Sequence, residues 1–260
     1  MTLPVVLVLA VVQGLAEFLP VSSSGHLRLL ELWFGVSEPQ TGFDVALHLA
    51  TILAVVVVMA RDVRDLATLR RPRLLLCLAV ATAPLLVLGP TVMKWAEAHL
   101  ASPTAIGLAL VGNAALLWLT RGRTNPQGAD EPTWKDALVI GVIQGLKMRG
   151  FSRSGLTMAA GLFRGLKPEA AFSFSFLMSV PAVLLATVYE TLKAVKAGED
   201  LAAGVSTGHL AVGFAVAFVT GVLALKLLRR FVVQGRLHVF AWYCLALGVL
   251  TLALTWGGNA

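Results

Sequence analysis

QGLAEFLPVSSSGH, residues 13–26, sets a Gln, a Glu, a proline, three serines and a histidine between two apolar stretches. Ten almost wholly apolar residues (3–12) lead into it, and Leu27, Leu29, Leu30, Leu32, Trp33 and Phe34 follow it. Neither flank has the roughly 20 apolar residues that a transmembrane helix needs. A polar group at bilayer depth must bond to protein or line a wet cavity, so such a cluster marks a functional site. Gln13 and Glu17 share one helix face at i, i+4. Pro20 disfavours continuation of that helix, and Ser22, Ser23 and Ser24 are N-cap types for a helix restarting near Gly25. The expectation is a helix–break–helix that dips into the bilayer and returns.

The remainder of the chain agrees with a membrane setting. Only 13% of its 260 residues are charged and 57% are hydrophobic, with a mean hydropathy of +0.82. Soluble domains carry about 25% charged residues, so the chain is an integral membrane protein. The net charge of +7 sits in short loops between apolar runs, which is the positive-inside pattern and not a nucleic-acid face. Cys77 and Cys244 both lie in apolar runs and suggest neither a disulfide framework nor a metal site. The start of the chain lacks a basic region and a small-residue cleavage site, so no removable signal peptide is expected. Full spans are expected at 43–60, 74–91, 103–120, 170–190, 209–228 and 238–256, each near the length of a bilayer core.

A second interrupted element, within 137–165, contains GVIQGLKMRGFSRSGLTMAAGLFRG. Gln13-Gly14-Leu15 is answered by Gln144-Gly145-Leu146, and Ser24-Gly25 by Ser154-Gly155. The chain reads as one membrane domain, 1–260, with repeat one at 1–120, a polar linker at 121–135 and repeat two at 136–260. Each half holds one re-entrant pair and three spans. Three is odd, so the second half enters from the opposite face, giving an inverted-topology repeat. Of the 21 Lys and Arg residues, only Lys94, Lys193 and Lys196 fall on one side, and Arg28, Lys147, Arg149 and Arg153 belong to the broken elements. The rest gather on the other side, which assigns that side to the cytoplasm and puts both termini and the mouth of the first element outside.

In the second element Gly150 interrupts the helix, and Ser152 or Ser154 caps its restart. Two helix N-termini facing each other make an anion site, for which phosphate is the common occupant. Arg153 adds a planar, permanently charged fork. His26 and Ser23 offer a nucleophile or an acid/base pair, and Glu17 a base or a metal ligand. Plainer roles exist for the same residues. Serine clusters bond across helix interfaces, a lone Glu can be paired structurally, and an Arg can snorkel or hold a carbonyl. His48 is as suited to packing as to catalysis, Arg28 to solvent as to substrate, and Asp44 and Glu190 to water. The serines among Phe172, Phe174 and Phe176 suit helix packing.

The first element has the form (E/Q)xxxE followed by PVSSxGH, and residues 150–157 read GFSRSGLT. Together they resemble the undecaprenyl-pyrophosphate phosphatase family, the bacterial bacitracin-resistance membrane phosphatases, over nearly the whole chain. That resemblance implies hydrolysis of undecaprenyl pyrophosphate to the monophosphate, which recycles the carrier lipid for cell-wall synthesis. It implies a homodimer in the bacterial plasma membrane, an outward-facing site and a divalent cation, Mg2+ or Ca2+. By motif position it carries over Glu17, Ser23, His26, Ser152, Arg153, Ser154 and Thr157, and phosphate contacts are expected from Ser22, Ser24, Ser152, Ser154, Thr157 and Arg149. Glu17 and Gln13 are the metal-site candidates, although Gln13 takes the amide option where a second carboxylate is allowed. Arg149 stands where the family has proline, Lys147 adds a further cation, and His48 stands where the family usually has Gln. Attack by Ser23, with Glu17 and His26 sharing proton transfer, stands beside attack by His26 or by a water that Glu17 activates. Transport of a polyprenyl phosphate, action on another lipid pyrophosphate, and silent binding are the competing functions.

Overall fold

The computed structural model describes residues 1–36, 40–99, 102–146, 150–199, 201 and 205–257. The apolar runs all form helices. In chain order these are α1 (Leu3–Ala16), α2 (Ser23–Trp33), α3 (Thr41–Val58), α4 (Ala60–Ala67), α5 (Pro72–His99) and α6 (Pro103–Trp118). After the linker come α7 (Trp134–Gly145), α8 (Arg153–Phe163), α9 (Pro168–Lys196), α10 (Thr207–Val233) and α11 (Phe240–Gly257). Among the described residues the β structure is limited to one isolated parallel bridge, Ala129 to Leu166.

The protein is an all-α, multi-pass membrane protein. α3, α9, α10 and residues 237–255 are each long and apolar enough to cross a bilayer, and α4 with the first part of α5 forms a fifth candidate bent by 98°. Two expectations change in detail. The run at 103–120 yields a 16-residue helix, α6, shorter than a full span. The stretch 61–73, between two expected spans, holds all of α4 but its first residue. Its Val63 and Leu66 recur at i, i+3 and pack on the core, while Arg61 and Arg64 stay exposed. α5 and α9 run through Pro84 and Pro181 without a break.

Caps fix the helix starts. Ser102 and Ser206 accept from Ala105 N–H and His209 N–H, and Thr133 and Asp136 form a reciprocal capping box on α7. Packing follows the small residues. α1 lays Gly14 on Ala217 and Gly221 of α10, and α7 lays Gly141 on Ala81 of α5. α6 pairs with α11, α3 with α10, α5 with α9, and α3 with α9 at the centre. Phe18, Phe172 and Phe176 pack as tilted rings in the core, with centroids 5.7 Å apart for Phe18–Phe176 and 4.8 Å for Phe172–Phe176. Cys77 and Cys244 are buried free thiols.

Candidate active site

Both breaks form where the sequence places them. α1 stops at Ala16, and the chain turns through Pro20 to Ser22, whose φ of 72° is left-handed. Ser22 caps α2, its hydroxyl accepting from Gly25 N–H at 3.3 Å. At the second break Gly150 takes φ 90°, and Ser152 caps α8 by accepting from Gly155 N–H at 3.1 Å. A Cβ on Gly150 would run into Ala109 and the Ile106 carbonyl, so that position needs glycine twice over. The first turns of the two restarted helices lie against the opposite breaks: Gly25 beside Gly150, and Gly155 beside Pro20.

Asn113, fully buried on α6, ties the breaks together. Its amide donates to Pro20 O at 2.8 Å and to Cys244 Sγ at 3.3 Å, and its carbonyl accepts from Ser152 N–H at 3.2 Å. It satisfies backbone groups that both breaks leave open. A lone Asn in an apolar span is the sequence signal that points to it.

Between the breaks, three expected residues converge. Glu17 Oε2 accepts from Ser23 Oγ at 2.7 Å, and Glu17 Oε1 from Arg153 Nη2 at 2.8 Å. The side chains of Glu17 and Arg153 are 9% and 10% exposed, so this is a buried ion pair joining the two halves. Gln13 Nε2 donates to Glu17 Oε2 at 3.3 Å. Arg153 Nη1, Ser24 Oγ and Gln13 Oε1 are buried with no hydrogen-bond partner. Unpaired buried polar atoms are expensive, so each of these is a candidate contact for a polar ligand.

The other expected residues sit around this centre. Ser152 and Ser154 bond to each other at 3.0 Å. Thr157 faces away, bonding to the Arg153 carbonyl and to Ser175 Oγ of α9. Both ring nitrogens of His26 have partners other than Ser23 Oγ and the Glu17 carboxylate. Its Nδ1 lies 2.8 Å from Ser22 O and its Nε2 2.7 Å from the Tyr243 hydroxyl. His48 bonds the Asp44 carbonyl within α3. Arg149 and Lys147 lie outside the described residues.

This arrangement defines a membrane protein whose two interrupted helix pairs hold a carboxylate, a hydroxyl and a guanidinium in one buried, hydrogen-bonded cluster. The chain matches the family model for bacitracin resistance protein BacA over residues 6–250, and it belongs to that family. It is 41% identical to the undecaprenyl-diphosphatase of Desulfosudis oleivorans, covering 94% of this chain and 96% of the relative. It is 36% identical to that of Carboxydothermus hydrogenoformans (97% of each chain) and 33% identical to that of Korarchaeum cryptofilum (95% and 97%).

Proposed function

We propose that the protein is a membrane phosphatase that hydrolyses undecaprenyl pyrophosphate to undecaprenyl phosphate and phosphate, recycling the carrier lipid of cell-wall synthesis and conferring bacitracin resistance. The observation that carries this is the chain of contacts from Ser23 Oγ to Glu17 to Arg153, with a spare, buried Nη1 on the guanidinium. Family membership and the undecaprenyl-diphosphatases it resembles support the substrate.

The chemistry follows from the placement. Ser23 Oγ attacks the terminal phosphorus in line, its proton passes to the Glu17 carboxylate, and the anhydride bond breaks to release the lipid monophosphate. Water then hydrolyses the seryl phosphate and frees inorganic phosphate. Arg153, Ser24 and the N–H groups opening α2 and α8 face the charge that builds on the phosphoryl oxygens. His26 sits one turn along, where it orients the Ser22 carbonyl. The alternative, water activated by Glu17, uses the same carboxylate without Ser23.

Glu17 and Gln13 are the residues that would hold a divalent cation here, through the carboxylate and the buried amide oxygen. Among the described residues no three His, Cys, Asp or Glu side chains group to hold a metal. Hard cations such as Mg2+ keep several waters and lean on substrate phosphates, which suits so sparse a ligand set. When bound, the cation would neutralise charge on the pyrophosphate.

In this reading residues 61–73 and 229–236 face the cytoplasm of a bacterial cell, the mouth of the site faces outside and the two halves are inverted, and the clustering of Lys and Arg supports it. Helix pairing supports the repeat, since exchanging the halves maps α1 on α10 onto α7 on α5, and α3 on α10 onto α9 on α5. The protein works as a homodimer. Purified protein should release phosphate from a polyprenyl pyrophosphate, and Glu17→Gln should not; a variant as fast as wild type sinks the reading. Ser23→Ala that keeps most of its activity would instead favour activated water.

A further inference from the structure

Tyr243 lies 217 residues from His26 in sequence, yet its hydroxyl sits 2.7 Å from His26 Nε2. The two rings are nearly parallel, at 9° with centroids 5.6 Å apart. On the far side of the imidazole, Nδ1 is 2.8 Å from the Ser22 carbonyl oxygen. A carbonyl can only accept, so Nδ1 carries the hydrogen, and in the neutral ring Nε2 must accept from the phenol. One line of donors then runs from Tyr243 through His26 to Ser22. Ser22 is the left-handed residue at the first break, and the next residue, Ser23, bonds Glu17.

We infer that Tyr243 is a positioning residue for the reaction: its hydroxyl fixes the plane of His26 and so keeps Nδ1–H on the Ser22 carbonyl, which holds the start of α2 against Glu17. A left-handed non-glycine residue persists only when its surroundings over-determine it. Here α11 supplies those surroundings from adjacent positions. Tyr243 holds the His26 end of the break, and Cys244 Sγ reaches Pro20 O at 3.5 Å and Asn113 at its other end. The basic nitrogen of His26 is occupied by the phenol and turned from Ser23, so Glu17 is the base for Ser23 and His26 acts through the backbone. This rests on the phosphatase reading for its kinetic consequence, and on geometry alone for the tautomer.

The test uses full-length protein in detergent, with Tyr243→Phe, which keeps the ring and removes the hydroxyl, and Tyr189→Phe on α9 as the control. Nitrogen-15 NMR of labelled histidines, with the His26 signal assigned by its loss in His26→Gln, reads the tautomer. Wild type and Tyr189→Phe should show the Nδ1–H form, and Tyr243→Phe a mixture of tautomers. Phosphate release from a polyprenyl pyrophosphate should fall about 10- to 100-fold in kcat with KM changed less than about twofold, the signature of misplaced reacting groups. An unchanged nitrogen signal in Tyr243→Phe overturns the inference, whether or not the rate falls. A shifted tautomer with a wild-type rate in an active enzyme overturns the role in the reaction. Wild-type protein that releases no phosphate overturns the phosphatase reading instead, a result distinguishable because the NMR arm does not depend on turnover.

Discussion

At the first break the left-handed turn falls on a serine, Ser22 at φ 72°, whereas at the second it falls on a glycine, Gly150 at φ 90°. Glycine adopts that conformation freely, while a residue with a Cβ is held there at about 1–2 kcal/mol. The strained turn carries Glu17, Ser23 and His26 on its flanks, and the relaxed turn is followed by Ser152, the cap of α8, and Arg153. Strain therefore resides beside the candidate base and nucleophile, and the break that carries Arg153 is built without it. Two breaks that look alike in sequence are thus divided by their backbone: the left-handed residue is strained in one and unstrained in the other.

Several substitutions would break or sharpen this division. The largest effect should come from Glu17→Gln, which removes the base while keeping the shape. Phosphate release is expected to fall by about 10²–10⁴-fold, the usual worth of a positioned acid or base. Arg153→Lys should cost about 10²–10³-fold, because a point charge cannot both bond Glu17 and present a second prong to phosphate. A rate near wild type would make the second break purely structural. Gly150→Ala should lower thermal stability, by about 1–2 kcal/mol for the left-handed φ and a further 1–3 kcal/mol for overpacking against Ala109 and Ile106.

A smaller effect is expected at Asp136, where α7 begins. Burial pushes its carboxyl up, but hydrogen bonds from Thr133 and the Arg164 guanidinium outweigh this and hold it below the ordinary value. A lowered folded value means stabilisation that is present above the ordinary carboxylate pKa of about 3.9 and lost as the pH falls through the folded value. Asp136→Asn should therefore lose about 1 kcal/mol at neutral pH, the worth of a cap, and the gap to wild type should close on acidification. Thermal denaturation across that range checks it; a gap independent of pH would contradict the charge-based account. Smallest of all, Ser22→Gly relieves the left-handed strain while weakening the cap by only a few tenths of a kcal/mol. It should raise stability by about 0.5–1 kcal/mol and still slow turnover, since the first turn of α2 loses its restraint. Gains in both would mean the strain at Ser22 serves nothing.

Much of this was legible in residue type alone. Pro20, Gly150 and the serines that follow them signal a stop and a capped restart through local backbone chemistry, which needs no tertiary information. The long apolar helices are legible for the same reason. α4 was not, because eight residues with apolar positions at 63 and 66 are too short to separate from a basic loop. Tyr243 was silent too: its role depends on a contact 217 residues away, and a tyrosine in a membrane helix carries no periodic signal. Asn113 lay between these cases, visible as a polar intruder yet without a partner that sequence could name. Glu17 and Arg153 each stood out as ionisable residues at bilayer depth, but that they bond each other is a fact of three dimensions.

That bond has a consequence for how the protein is made. Glu17 and Arg153 are separated by 136 residues, so one leaves the ribosome well before the other exists. At about 5–20 residues per second the interval is on the order of 10 s. A carboxylate lowered into hydrocarbon without its guanidinium is costly, and the Asn113 amide that bridges both breaks is likewise incomplete until the second half arrives. The N-terminal element is therefore synthesised first, and its polar contacts are complete only when the C-terminal half has delivered Ser152 and Arg153.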